Sequence, residues 1–133
     1  MNNCRIERNS GASSGAGGYF SGGTILMTNC VIASNTVAGA TSQSGFGIYS
    51  LGVNLQLVDC LFSNNYGAWA ARGAKGVALY FDNGTLRVLR TDFIGNGGDI
   101  GNGGAGGVAV CLGNNANTSA SFSNGVFRGN VAP

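Results

Sequence analysis

The chain has 133 residues, 44% hydrophobic and only 9% charged, with 25 glycines, one proline, four cysteines and no histidine. This length holds one domain, and a net charge of +2 is too small to make nucleic acid or an anionic membrane the main partner. No apolar run approaches the roughly 20 residues that cross a bilayer, and Met1 is followed by polar Asn2 and Asn3, so no signal peptide is visible.

In chain order, the first element is a short strand around Ile6, within Cys4-Arg5-Ile6-Glu7-Arg8-Asn9. A glycine-rich loop leads to a second strand at Gly18-Tyr19-Phe20, and Ile25 and Met27 mark a third. The unit then starts again. Cys30-Val31-Ile32-Ala33-Ser34-Asn35 is followed by Gly47-Ile48-Tyr49 and by Leu55 and Leu57. Cys60-Leu61-Phe62-Ser63-Asn64-Asn65 is followed by Gly76-Val77-Ala78-Leu79 and by Leu86 and Val88. Thr91-Asp92-Phe93-Ile94-Gly95-Asn96 is followed by Gly107-Val108-Ala109-Val110 and by Ala120 and Phe122. Gly125-Val126-Phe127-Arg128-Gly129-Asn130 is the fifth copy. Each copy places a large apolar residue three positions before an Asn, and the five asparagines stand 26, 30, 31 and 34 residues apart. Repeats of this length stack as similar units that touch their neighbours.

Within each unit the apolar residues alternate with polar or small ones, the mark of strands with one buried face. Helical periodicity is absent and glycine is frequent throughout. The sequence therefore predicts an all-β fold, a right-handed parallel β-helix (solenoid) of about four to five coils with three short strands each. It is read as a single segment over residues 1–133. Because the pattern starts at Cys4 and stops close to Pro133, the segment is expected to belong to a longer chain, and its ends to be covered by neighbouring protein segments or by self-association. Asn29, Asp59, Arg90 and Asn124 fall where the alternation skips, and mark a bend. Asn9, Asn35, Asn65, Asn96 and Asn130 form one column. Asn tolerates tight backbone geometry, and its amide can bond to an equivalent amide above and below, so the column is expected to be a ladder. Ala12, Ala38 and Ala68 follow three residues later and are expected in a tight corner.

Phe62-x-x-Asn65, Phe93-x-x-Asn96 and Phe127-x-x-Asn130 share one motif, with Ile6-x-x-Asn9 and Ile32-x-x-Asn35 as variants. Gly-Gly segments such as Gly17-Gly18-Tyr19 and Gly106-Gly107-Val108-Ala109 alternate with them. The pattern resembles the repeats of the polymorphic outer-membrane proteins, whose passengers combine Phe-x-x-Asn with Gly-Gly-Ala-Ile motifs. The resemblance implies a passenger presented outside the cell, often in adhesion. This chain departs from that family in lacking a membrane-anchoring barrel and in its imperfect Gly-Gly copies.

Catalysis needs titratable groups at the right spacing, and the acids are only Glu7, Asp59, Asp82, Asp92 and Asp99. Asp59 and Asp92 come nearest to the carboxylate pair of a polysaccharide hydrolase, but Arg90 shares the Asp59 column, and an exposed Asp59–Arg90 ion pair is the favoured reading. Cys4, Cys30 and Cys60 share an inward column with neighbours about 4.8 Å apart. They are read as stacked buried thiols rather than a disulfide, and Cys111 stands alone. No Cys-x-x-Cys or His is present to hold zinc, so no metal and no cofactor is expected. Asn83-Gly84-Thr85 and Asn117-Thr118-Ser119 fit the glycosylation sequon and are assigned to loops. Tyr66, Trp69, Arg72 and Lys75 form a candidate contact loop for a protein or glycan, because aromatics with Arg are common contact residues. Val31, Leu61 and Val126 are expected on an outer face. The functional expectation is a non-enzymatic structural or adhesion segment of an extracellular or cell-surface protein. A fragment of a carbohydrate-active β-helix enzyme, with its catalytic residues elsewhere, is the alternative.

Overall fold

The structure is a computed structural model that describes residues 1–38, 43–68, 75–98 and 107–131. Among these residues every regular element is a β-strand, and every strand pairing is parallel. Three sheets result. A broad sheet holds Gly18–Ser21 and Thr24–Thr28, then Ile48–Val58, then Leu79–Leu89, then Val110–Leu112 and Thr118–Ser123. A middle sheet stacks Arg5–Glu7, Val31–Ala33, Leu61–Ser63, Asp92–Ile94 and Phe127–Arg128. A short sheet stacks Ser10–Gly11, Thr36–Ala38, Tyr66–Ala68 and Gly97–Gly98. The chain passes from broad to middle to short sheet and returns to the broad sheet one strand further on. Parallel neighbours need such a crossover, and here each crossover carries the other two sheets' strands.

The columns are those that the alternation implies. Ile6, Ile32, Phe62, Phe93 and Phe127 lie in register in the middle sheet. The Phe62 and Phe93 rings stack with centroids 4.9 Å apart, and Phe93 stacks equally closely on Phe127. In the broad sheet Ile25, Leu55, Leu86 and Ala120 form one column, and Met27, Leu57, Val88 and Phe122 another. Met27, Ile32, Leu55, Leu57, Phe62, Leu86 and Phe93 are fully buried in one shared core. Burying a side chain of this size contributes about 1.5–3 kcal/mol, so the inner repeats are held chiefly by these stacked columns.

The corners are made by single residues in the left-handed region. Asn3, Asn29, Asp59, Arg90 and Asn124 have φ between 45° and 55° and turn the chain from the broad to the middle sheet. A second set was not visible in the sequence. Arg8, Ser34, Asn64, Gly95 and Gly129, each just before a ladder asparagine, also have positive φ and turn the chain toward the short sheet.

Three sequence expectations are corrected. The segment beginning at Gly47 and the apolar pair Leu55 and Leu57 are not separate strands but one strand, Ile48–Val58, and Leu79–Leu89 likewise fuses two expected strands. The third strand of each repeat instead follows the asparagine directly, so Ala38 ends a strand, paired with Ala68, rather than lining a corner. The register of the glycine segments also differs. Gly18 pairs with Ile48, and Ile48 with Leu79, because the tyrosines Tyr19, Tyr49 and Tyr80, not the glycines, occupy equivalent positions. A second small core of Val37, Phe46 and Val77 fills the space beneath the short sheet. There the Phe46 ring lies so close to Gly67 that a Cβ on residue 67 would clash with it.

Candidate functional surface

The asparagine column is a continuous ladder. The side-chain amide of Asn9 donates to Asn35 Oδ1, Asn35 to Asn65, Asn65 to Asn96 and Asn96 to Asn130, each at 2.9 Å. The backbone N–H of each donor asparagine bonds to the same oxygen at 3.1–3.2 Å. The second amide hydrogen of Asn35, Asn65, Asn96 and Asn130 goes back to the carbonyl of Ile6, Ile32, Phe62 and Phe93 respectively. Asn35, Asn65 and Asn96 have no exposed surface. A buried amide this fully paired escapes the cost of desolvation and fixes the register of successive repeats.

The outward face of the broad sheet carries a second ladder. Tyr19, Tyr49 and Tyr80 stack with ring centroids 5.1 and 4.9 Å apart and planes 5° and 17° from parallel. Burial against their neighbours raises the Tyr49 and Tyr80 phenols above the ordinary value. Because Tyr49 has a ring on each face, it offers its edge and hydroxyl to solvent rather than an open platform. Cys111 takes the next position in the column. Sequence reading missed this ladder, although its tyrosines keep the same 30- and 31-residue spacings as Asn35, Asn65 and Asn96.

Lys75, Tyr80, Asp82, Cys111 and the turn Gly113–Asn115 line a recess of about 470 Å³ at the end of the tyrosine ladder. Asp82 holds its wall together. Its Oδ1 accepts from Thr118 Oγ1 at 3.0 Å and from the Asn115 N–H at 3.3 Å. Burial pushes the Cys111 thiol up, with Lys75 opposing the shift, so the thiol is a weak nucleophile near neutral pH. The recess can hydrogen-bond a polar group, with one amine and one carboxylate at its rim.

The candidates singled out in the sequence are dispersed. Tyr66 is exposed on the short sheet between Thr36 and Gly97. Lys75 is bridged to Ser44 and lines the recess described above. Trp69 and Arg72, like Asp99, lie outside the described residues. Asn117 sits in an exposed turn, but Asn83 does not lie in a loop: it is inside the strand Leu79–Leu89, with φ of 58° and its N–H bonded to Thr118 Oγ1 at 2.8 Å. Asp59 and Arg90 form a two-pronged exposed pair at 2.6 and 2.9 Å, and Arg90 holds the Asp59 carboxyl below its usual range. Asp92 instead accepts the Val126 N–H at 3.0 Å. Cys4, Cys30, Cys60 and Cys111 are free thiols. Val31 and Leu61 are half-buried and Val126 is exposed. No described helix is long and apolar enough to cross a membrane.

No family model, curated protein or solved structure matches this chain. The likeness to polymorphic outer-membrane repeats therefore rests on the Phe-x-x-Asn and Gly-Gly segments alone.

Proposed function

We propose that the chain is a segment of a right-handed parallel β-helix on a secreted or cell-surface protein. Its role is non-enzymatic: a rigid rod that presents stacked loops to a protein or glycan partner. The observation that carries this reading is the unbroken asparagine ladder joining all five copies, from Asn9 to Asn130. Stiffness comes from satisfied buried polar groups repeated along an axis, and each repeat needs only its neighbours. The described carboxylates support the same reading because each already has a structural partner, three of them between repeats and Glu7 within its own strand. Glu7 pairs with Arg5, Asp59 with Arg90, Asp82 anchors the 113–118 turn, and Asp92 fixes Val126. Display outside the cell follows from the resemblance to outer-membrane passengers. The described contact residues on this reading are Tyr66 on the short sheet and Lys75 beside the broad-sheet recess.

A second reading, distinct from an enzyme fragment with its catalytic residues elsewhere, is carbohydrate chemistry within this segment, and it draws on the recess with Asp82 and Tyr80. One experiment separates the two. Beads coated with the chain are offered immobilised neutral and acidic polysaccharides and cell-surface protein preparations, while reducing and unsaturated sugar ends are measured in the supernatant. The rod reading expects retention without release of sugar ends. Release that is abolished by Asp82→Asn would replace it with the enzyme reading, and the absence of both retention and release would remove the adhesion role.

A further inference from the structure

Oxidisable side chains line up on the outer face of the broad sheet. Tyr19, Tyr49 and Tyr80 hold equivalent positions in three successive strands, with ring centroids 5.1 and 4.9 Å apart. Backbone bonds fix the register just before them: the Gly18 N–H donates to Gly47 O at 3.0 Å, and the Ile48 N–H to Ala78 O at 2.9 Å. Tyr19 is 57% exposed, and Tyr49 and Tyr80 are half-buried, so a reagent in solution reaches the ladder. The fourth tyrosine, Tyr66, is exposed too, but it stands on the short sheet between Thr36 and Gly97, and no tyrosine adjoins it in its column.

A phenol that loses an electron and its proton becomes a tyrosyl radical, and two such radicals join through the ring carbons beside the hydroxyls. Between separate chains this step waits on the encounter of two short-lived radicals. In the ladder the partner is already in contact, the advantage of any intramolecular reaction. A biaryl bond holds its two ring centres at nearly the separation seen here. The rings therefore need to turn about the bond from Cβ to the ring, a soft torsion, rather than travel.

We propose that the tyrosine ladder is a site of oxidative cross-linking, in which a dityrosine bond joins Tyr49 to Tyr80 or to Tyr19. The oxidant is a peroxide acting through a haem peroxidase. Each ring gives one electron to the oxidant and its phenolic proton to water. The two radicals then form one C–C bond. The hydrogen on each newly bonded carbon leaves as a proton, and each ring oxygen takes one back. In sum two C–H bonds break, one C–C bond forms, and one hydrogen peroxide is reduced to two waters. The product ties one repeat to the next by a bond that thiols do not reduce, whereas the four cysteines are free thiols and make no such tie. The proposal needs only the strand register of the broad sheet and does not depend on the adhesion reading.

Treating the folded 133-residue chain with hydrogen peroxide and a haem peroxidase, over a range of protein concentrations, tests this. Dityrosine fluorescence should appear, with a yield per chain that dilution does not change. Mass spectrometry of the digested product should show peptides linking Tyr49 to Tyr80 or Tyr19, lighter by two hydrogens. Tyr49→Phe keeps a ring in the stack but leaves Tyr19 and Tyr80 two rungs apart, so the within-chain yield should fall by about tenfold or more. Tyr80→Phe should leave the Tyr19–Tyr49 link as the sole product, and Tyr66→Phe should change nothing. Circular dichroism of each variant separates a lost partner from a lost fold, and if Tyr49→Phe does not fold, the product of Tyr80→Phe decides. A folded parent that forms no dityrosine overturns the proposal. So does a yield that rises in proportion to concentration, a set of links that all contain Tyr66, or an undiminished yield in folded Tyr49→Phe.

Discussion

Replacing Asn65 with Leu keeps the side-chain size close and removes all four hydrogen bonds of the Asn65 side chain. The Asn35 N–H loses its partner at 3.1 Å, and one Asn35 amide hydrogen loses its partner at 2.9 Å. Ile32 O and Asn96 Oδ1 each lose a donor, although the residue-65 backbone N–H still reaches Asn96 Oδ1. Two buried donors are therefore left unpaired, in a site with no exposed surface. At about 1–3 kcal/mol for each orphaned donor, the expected loss is about 2–6 kcal/mol. Against a total stability of about 5–15 kcal/mol for a domain, this is a large fraction. Urea titration followed by far-ultraviolet circular dichroism reads it as a lower midpoint. Asn9→Leu is the internal control. Asn9 is exposed and its side chain makes a single ladder bond, so its loss should be much the smaller. An Asn65→Leu midpoint equal to the parent's, or a larger loss at Asn9 than at Asn65, would refute the argument that buried pairing along the ladder holds the repeats together.

Phe62→Ala should cost about 3–5 kcal/mol, because it empties a fully buried site beneath a stacked ring, and Phe127→Ala should cost clearly less; equal costs in urea would mean the column is wrongly ordered. Gly67→Ala should destabilise by forcing its Cβ into the Phe46 ring, and Phe46→Leu in the same chain should recover part of the loss; additive losses in the double variant would contradict the contact. Ser50→Ala should stabilise by about 1 kcal/mol or more, since Ser50 Oγ is buried without a partner among the described residues, between Phe20 and Phe81 in its column; a lower thermal midpoint would show that the hydroxyl is satisfied. Arg90 holds Asp59, and Arg5 holds Glu7, below the usual carboxylate range. A carboxyl depressed on folding stabilises above its unfolded pKa and loses that contribution as the pH falls through the folded one. The urea midpoint should thus decline as the pH drops below about 4, and Asp59→Asn should flatten the decline; a midpoint rising on acidification would reverse the sign.

The legible part of this fold is where one chemical identity repeats at one position. The Asn9-to-Asn130 column and the Ile6-to-Phe127 column could be read directly because an amide ladder needs asparagine on every rung and a buried column needs large apolar groups. The corners at Asn29, Asp59, Arg90 and Asn124 were legible from a skipped alternation. Their counterparts at Arg8, Ser34, Asn64, Gly95 and Gly129 were not, because five copies use four residue types and the requirement is on the backbone alone. The short sheet was hidden for a related reason: its strands run only two or three residues, with glycine at Gly11, Gly67, Gly97 and Gly98, and give no alternation to detect. Glycine misled the register of the broad sheet, since Gly18 and Gly47 occupy successive columns rather than one. The tyrosine ladder was lost with that register. The candidate contact loop rested on composition, and the structure places Tyr66 and Lys75 apart, on the short sheet and beside the broad-sheet recess.

The central claim is that residues one repeat apart in sequence are neighbours one rung apart in space. Nuclear Overhauser spectroscopy on the amide- and ring-labelled chain measures this directly. The account expects cross-peaks linking the Asn35 side-chain amide to Asn65, the Asn65 amide to Asn96, and the Phe62 ring to the Phe93 ring, separations of 30 to 31 residues in sequence. Cross-peaks that instead connect adjacent strands in antiparallel order, or the absence of any Asn65–Asn96 contact in the folded chain, would contradict it.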